Sequence, residues 1–409
     1  MRTRTKFVAV GALTAMTIGA AVGDAGASGS TERGRHPRLV GRAVLPAETL
    51  APGPPAGAGA TSANGITFPL PSQPVEGFSA IVEGRHPGEY LGMPDNGFGN
   101  KANSFDFLIR AYHLRPQFRT ARGGSGAVAV GRYVSFRDPH HRIGFPITKE
   151  RSKRRLLTGA DIDPESLQRA PDGDLWVGDE FGPWILHFSG SGVLLDRPFP
   201  VPGVIAATNP AIGTQPPTIA NSRGLEGMAI SPNGRYLYPV LEGAVVGDPA
   251  DARRVHEFDV RRERFTGRTW TYRTELAANM VADVQALDDH RLVVIERDAT
   301  SGANVVFRRV YVVDLRRTDE AGYLRKRQVL DLTAIPDPSL VSLPAIHPGD
   351  VRLGDPFAVV CESVEALRVL SPDRVLIGCD NNLPNTGRNP ARADDNEFIV
   401  VDVPRLSGR

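Results

Sequence analysis

Glu226 and Glu242 bracket a hairpin in the stretch GLEGMAISPNGRYLYPVLEG. Ser231-Pro232-Asn233-Gly234 turns the chain back, because Pro and Asn-Gly supply the dihedrals of a tight turn, and so returns both acids to one end of the ribbon. Like charges brought together repel unless a cation or protein donors sit between them. The same plan recurs four times, with pairs Glu76 and Asp95, Glu165 and Asp179-Glu180, Asp283 and Glu296, and Glu365 and Asp380. Hard oxygen ligands in such number suit Ca²⁺, which accepts six to eight oxygens in irregular geometry.

Other hydrolytic chemistries lack their residues. No Gly-x-Ser-x-Gly elbow presents a serine, no Arg-His-Gly-x-Arg loop is present, neither cysteine follows a histidine, and no His-Glu-x-x-His spacing occurs. A metal-assisted route remains, in which carboxylates hold Ca²⁺ and an unmetallated one acts as base. For that base the reading singles out Glu180, in WVGDEFG, and Asp380, in CDNN. The other nine acids, Glu76, Asp95, Glu165, Asp179, Glu226, Glu242, Asp283, Glu296 and Glu365, are candidate metal ligands. Phosphate oxygens want directed cationic donors, and Lys101, Arg223 and Arg388, with Asn381, are the candidates for substrate contact. Arg297, between Glu296 and Asp298, reads rather as a surface ion pair with a neighbouring acid. Each ring acid has a plainer alternative: accepting backbone N–H bonds from the next repeat.

Something must bring the five hairpins together. The leading acids fall at 76, 165, 226, 283 and 365. Each interval holds four short strands and their loops, the content of one propeller blade, and sustained helical periodicity is absent. The fold expected is an all-β propeller of five to seven blades. Strand candidates at Asp106 to His113 and Gly131 to Phe136 make six the favoured count. The strands Leu39 to Leu45 and Glu397 to Val403 are expected to close the ring. A β-sandwich is the runner-up, but it leaves one repeated charged hairpin without a reason.

The chain opens with Met1-Arg2-Thr3-Arg4-Thr5-Lys6, an apolar run to about Val22 and Ala25-Gly26-Ala27, which reads as a secretory signal peptide over residues 1–27. A flexible segment, 28–37, a domain, 38–403, and a tail, 404–409, would follow, in a secreted or envelope-associated protein with no transmembrane segment. Without residues 1–27 the chain carries 45 basic and 45 acidic residues. That balance offers no support for nucleic-acid binding. Cys361 and Cys379 flank one hairpin, and whether they form a disulfide or two buried thiols stays open.

MPDNGFGNKANSFDFLIR (93–110), DPESL with DGDLWVGDEFGP (163–183), GLEGMAISPNGRYLY (224–238), ERD (296–298) and DNNLPNTGRNPARADDNEFIVVD (380–402) together resemble the bacterial phytase-like esterase family, across about residues 38–403. The resemblance implies a β-propeller and a secreted protein related in name to calcium-dependent phytases, without a defined catalytic set. The expected function is Ca²⁺-assisted hydrolysis of a small phosphate ester or other ester at an acidic channel mouth. The alternatives are a noncatalytic extracellular ligand- or envelope-binding propeller with a structural metal, and a lactonase-like propeller acting on a neutral ester, lined by Phe98, Phe181, Trp184 and Phe357.

Overall fold

The computed structural model describes residues 36–408; the signal-peptide reading lies outside them. Strand β1 (Arg38–Leu45) is followed by a two-residue pair, β2 (Leu50–Ala51) and β3 (Gln73–Pro74). Four four-stranded antiparallel sheets come next. The first holds β4 (Phe78–Glu83), β5 (Tyr90–Pro94), β6 (Arg110–Pro116) and β7 (Val128–Ser135). The second holds β8 (Pro164–Arg169), β9 (Leu175–Asp179), β10 (Trp184–Phe188) and β11 (Phe199–Pro200). The third holds β12 (Leu225–Ile230), β13 (Tyr236–Leu241), β14 (Ala252–Asp259) and β15 (Arg264–Arg273). The fourth holds β16 (Met280–Ala286), β17 (Arg291–Arg297), β18 (Arg308–Thr318) and β19 (Leu324–Asp331). The fifth is composite: β20 (Ser363–Ser371), β21 (Arg374–Asp380) and β22 (Asn396–Asp402) are completed by β1, which pairs with β22 from Arg38↔Asp402 to Leu45↔Asn396.

The strands β4, β8, β12, β16 and β20 touch one another in that cyclic order, β20 meeting β4, so the sheets close as a five-bladed propeller latched by the two ends of the fold. Five blades fall within the expected range. The strand candidates that favoured a sixth are β6 and β7, the outer strands of the first blade, and the long interval after them is loop.

Period-two alternation feeds a separate core layer on each side of a blade. In β12, Met228 enters the layer shared with the second blade and Ala229 the layer shared with the fourth. In β21, Val375 and Ile377 face the fourth blade while Leu376 faces the first. These two strands are therefore apolar on both faces, with charge at their ends. The turn of the opening hairpin forms as expected: Gly234 sits at φ +70°, and a Cβ there would lie 2.4 Å from Pro171. Cys361 and Cys379 are joined as a disulfide, which ties the approach to β20 to the end of β21.

Candidate acidic channel site

Every innermost strand carries a register shift near its start: between Phe78 and Ala80, Pro164 and Ser166, Leu225 and Gly227, Val281 and Val284, and Val364 and Ala366. A bulge leaves a residue out of the ladder and re-aims its side chain. The residues just before the ladder resumes are Ser79, Glu165, Glu226, Asp283 and Glu365. On the second strands, the residue after the partner of the last pair before the bulge is Asp95, Glu180, Glu242, Arg297 or Asp380. Two rungs thus face the same end of the channel.

The carboxylates converge. Ligand atoms of Asp95, Asp163 and Glu165 lie within 4.8 Å of one another, as do those of Glu165, Glu226 and Glu365, and those of Glu180, Glu226 and Glu242. Glu165, Glu226, Glu365, Glu180 and Glu242 are buried, and Asp95 is half-buried. Burial first, and then the charge of Glu226, raises Glu165 well above the usual carboxylate range. Burial and Glu242 do the same to Glu226, burial and Asp163 to Glu180, and burial and Asp95 to Asp380. Asp95 is likewise raised by burial and Asp163.

Arg297 lies inside this cluster. Its Nη2 is 2.6 Å from Glu365, 3.4 Å from Glu242 and 3.6 Å from Glu226. Those carboxylates, despite its burial, raise its own pKa further. The ion pairing expected for Arg297 is therefore buried rather than superficial, and its partners come from the third and fifth blades instead of from Glu296 or Asp298. One half of the ring has a built-in cation. The other half, Asp95, Asp163, Glu165 and Asp380 with Glu76 behind them, has none among its hydrogen-bond and ion-pair partners. Neither oxygen of Glu76 meets a donor at good hydrogen-bond geometry; burial followed by Asp95 raises its pKa well above normal, and the Leu383 amide offsets this only in part. Gly77 keeps this corner tight, at φ +71° with its amide 2.8 Å from Asn381 Oδ1 and no room for a Cβ beside Asp95 Oδ1.

Three sequence candidates stand apart from the open cluster, each because its oxygens are taken by protein donors. Asp179 accepts from the amides of Asp163 and Gly182, at 2.8 and 2.7 Å. Asp283 accepts from Val284 and, across the blade boundary, from Leu367 at 2.8 Å. Glu296 accepts from Tyr272, Asn279, the Glu275 amide and Lys326. Glu296 and Asp179 lie one residue short of the ring position, and a one-residue step turns a strand side chain to the other face.

Of the cationic candidates, Arg223 is two-fifths exposed and 2.7 Å from Glu242. Lys101 donates to the Thr208 carbonyl at 2.5 Å over the Phe181 ring; burial lowers its pKa while Asp179 and Asp163 pull it up. Arg388 is used elsewhere: it donates to the carbonyls of Val351 and Ala358, binds Glu397 at 2.5 Å and stacks on Phe357. Asn381 spends its side chain on the Gly77 amide and the Asp394 carbonyl. Phe98, Trp184 and Phe357 belong to core layers, and Phe181 is buried.

Two participants were not picked out from the sequence. Asp163, held by the Asn96 amide and side chain and raised to about 6 by burial, had only its place in a quoted motif as a signal. Ser79, the first blade's bulge residue, carries no charge; its hydroxyl lies 3.5 Å from Glu365.

Residues 73–383 match the phytase-like family, described as esterase-like activity of phytase. An uncharacterized secreted protein of Arthroderma benhamiae is 28% identical over 111 residues, 23% of this chain and 22% of that protein. Among solved structures, an exo-beta-1,3-galactanase of Phanerochaete chrysosporium aligns over 85% of this chain and 63% of its own at 9% identity and a TM-score of 0.40. A virginiamycin B lyase of Staphylococcus aureus aligns over 79% and 65% at 10% identity and a TM-score of 0.30. Among the described residues, no helix is long and apolar enough to cross a membrane. A family match over most of the chain, on a propeller whose repeated acids meet at one channel end, settles the kinship: the chain belongs to the phytase-like family.

Proposed function

We propose that this is a secreted ester hydrolase whose acidic channel binds a divalent cation, Ca²⁺ by the chemistry of its ligands, and whose substrate is a phosphate ester. The observation that carries the reading is the uneven ring: Arg297 pairs with Glu226, Glu242 and Glu365, while buried Asp163, Glu165, Asp380 and Glu76 and half-buried Asp95 have no cation among their ion-pair partners. An arrangement of hard oxygen donors with an orphaned carboxylate fits Ca²⁺, which needs oxygens and tolerates irregular geometry. Asp95, Asp163 and Glu165 are the residues to hold it, with Asp380 beside them. When bound, the cation supplies charge neutralisation for the ester oxygens and lowers the pKa of a water.

The chain's own groups do the rest. Glu180 and Asp380 are carboxyls whose burial raises them well above the ordinary carboxylate range, which suits them to hold a proton. Lys101 and Arg223 reach the same end of the channel and supply donors to phosphate oxygens in a mouth that otherwise repels anions. A neutral-ester lactonase would need apolar lining, and the four rings considered for it are buried, three of them in core layers. The binding-protein reading is favoured by Asp179, Asp283 and Glu296, whose donors are all structural.

Hydrolysis of phytate, an aryl phosphate and a short-chain acyl ester by the purified protein, with and without chelator, tests the proposal. Chelator-sensitive phosphate release is expected. Intact substrates with a chelator-lowered melting temperature would hand the site to the binding-protein reading.

A further inference from the structure

Among the described residues, one group of metal-ligating side chains stands outside the channel: His187, Asp196 and Glu263, whose ligand atoms lie within 4.8 Å of one another. We propose that these three residues form a second divalent-metal site, of the Zn²⁺ class, that ties the second blade to the third.

His187 projects from β10 and Asp196 follows it in the same blade, whereas Glu263 sits in the turn between β14 and β15 of the next blade. Nδ1 of His187 is 3.0 Å from Asp196 and 3.7 Å from Glu263. Tetrahedral ligands at Zn²⁺ bond lengths stand about 3.4 Å apart, so the three atoms bracket the spacing that one ion imposes. An imidazole with two carboxylates is a borderline donor set that suits Zn²⁺ better than the all-oxygen set of the channel suits it.

The imidazole is set up as a ligand. It is nine-tenths buried, and its ring stacks on Trp176 with centroids 3.9 Å apart and planes 6° from parallel, which fixes its orientation. Its other nitrogen, Nε2, is buried without a hydrogen bond, 3.3 Å from the carboxylate of Asp174. Nδ1 lies at hydrogen-bond distance from Asp196, and moving its proton to Nε2, beside Asp174, frees the Nδ1 lone pair for a metal, the arrangement in which a second carboxylate orients a metal-bound histidine. Asp196 and Glu263 remain partly exposed, so an ion reaches the site from solvent.

The test is Zn²⁺ binding by calorimetry and thermal melting on the whole protein saturated with Ca²⁺, with Glu263→Gln, Asp196→Asn, His187→Phe and the channel variant Glu165→Gln. One Zn²⁺ per chain is expected in the wild type, with affinity at least about tenfold weaker in Glu263→Gln and Asp196→Asn, absent in His187→Phe, and unchanged in Glu165→Gln. Zn²⁺ should raise the melting temperature of the wild type and not of Glu263→Gln. The phenylalanine preserves the stack on Trp176, and the exposed Glu263 decides the question should His187→Phe fail to fold. No Zn²⁺ binding, or binding unaltered by Glu263→Gln and Asp196→Asn, overturns the proposal.

Discussion

Arg297 on the fourth blade donates to Glu365 on the fifth at 2.6 Å, and the same guanidinium nitrogen lies 3.4 Å from Glu242 on the third. A single buried cation therefore bonds three blades at the channel. Replacing it with methionine keeps most of its volume and leaves buried Glu226 and Glu365 without a cation, while Glu242 keeps Arg223, at a cost of about 3 to 5 kcal/mol. Urea unfolding of Arg297→Met in chelator should show that loss, with a good part regained on adding Ca²⁺. Wild-type stability in chelator would mean that the acids do not depend on this charge.

Acid should stabilise the chelated protein. Burial pushes Asp163 to about 6 and Asp179 to about 7, against about 4 for an unfolded aspartate. Between about pH 4 and 7 the folded state holds protons that the unfolded chain has released, so stability rises as pH falls through that window and declines as pH climbs out of it. Each such proton contributes about 1.4 kcal/mol per pH unit inside its window. Melting temperatures from pH 5 to 8 should fall with pH in chelator and flatten in Ca²⁺; the reverse slope in chelator would contradict the electrostatics described.

Glu296→Gln separates architecture from site. Glu296 accepts from Lys326 and Tyr272 away from the open cluster, so its loss should cost about 2 kcal/mol while leaving Ca²⁺ affinity alone. Melting and calorimetry on one preparation check both halves.

Lys101→Ala and Arg223→Ala should each lower kcat/KM for an aryl phosphate at least about tenfold, about 1.4 kcal/mol of transition-state binding, with little change for a neutral acyl ester. Equal losses on both substrates would show that these residues shape the mouth rather than bind phosphate.

The hairpins were legible because Pro, Asn-Gly and apolar alternation sit in one chain segment, and their repetition identified the propeller. What sequence could not carry was phase. The bulge in each innermost strand has no residue signature, so the sequence puts the leading acid of the first blade at Glu76 where the structure has Ser79, and the fourth blade's ring position at Glu296 where the structure has Arg297. That single slip hid the cation that divides the ring. Asp163 is not legible in the sequence for a related reason: it precedes β8, and only the convergence of blades brings it to Asp95 and Glu165. Arg388 looked like a binding-loop residue from its Asn- and Gly-rich neighbours, yet Glu397 and four nearby carbonyls or rings claim it across distances in sequence that composition does not reveal.

Calorimetric titration of the chelator-stripped protein with Ca²⁺, for wild type and Glu165→Gln, addresses the central claim most directly. The account predicts at least one Ca²⁺ per chain in the wild type, affinity at least about tenfold weaker in Glu165→Gln, and a variant that is more stable than wild type in chelator because one buried charge is gone. A wild type that takes up no Ca²⁺, or a variant that binds it as tightly, would contradict the cation site on which the proposed hydrolase rests.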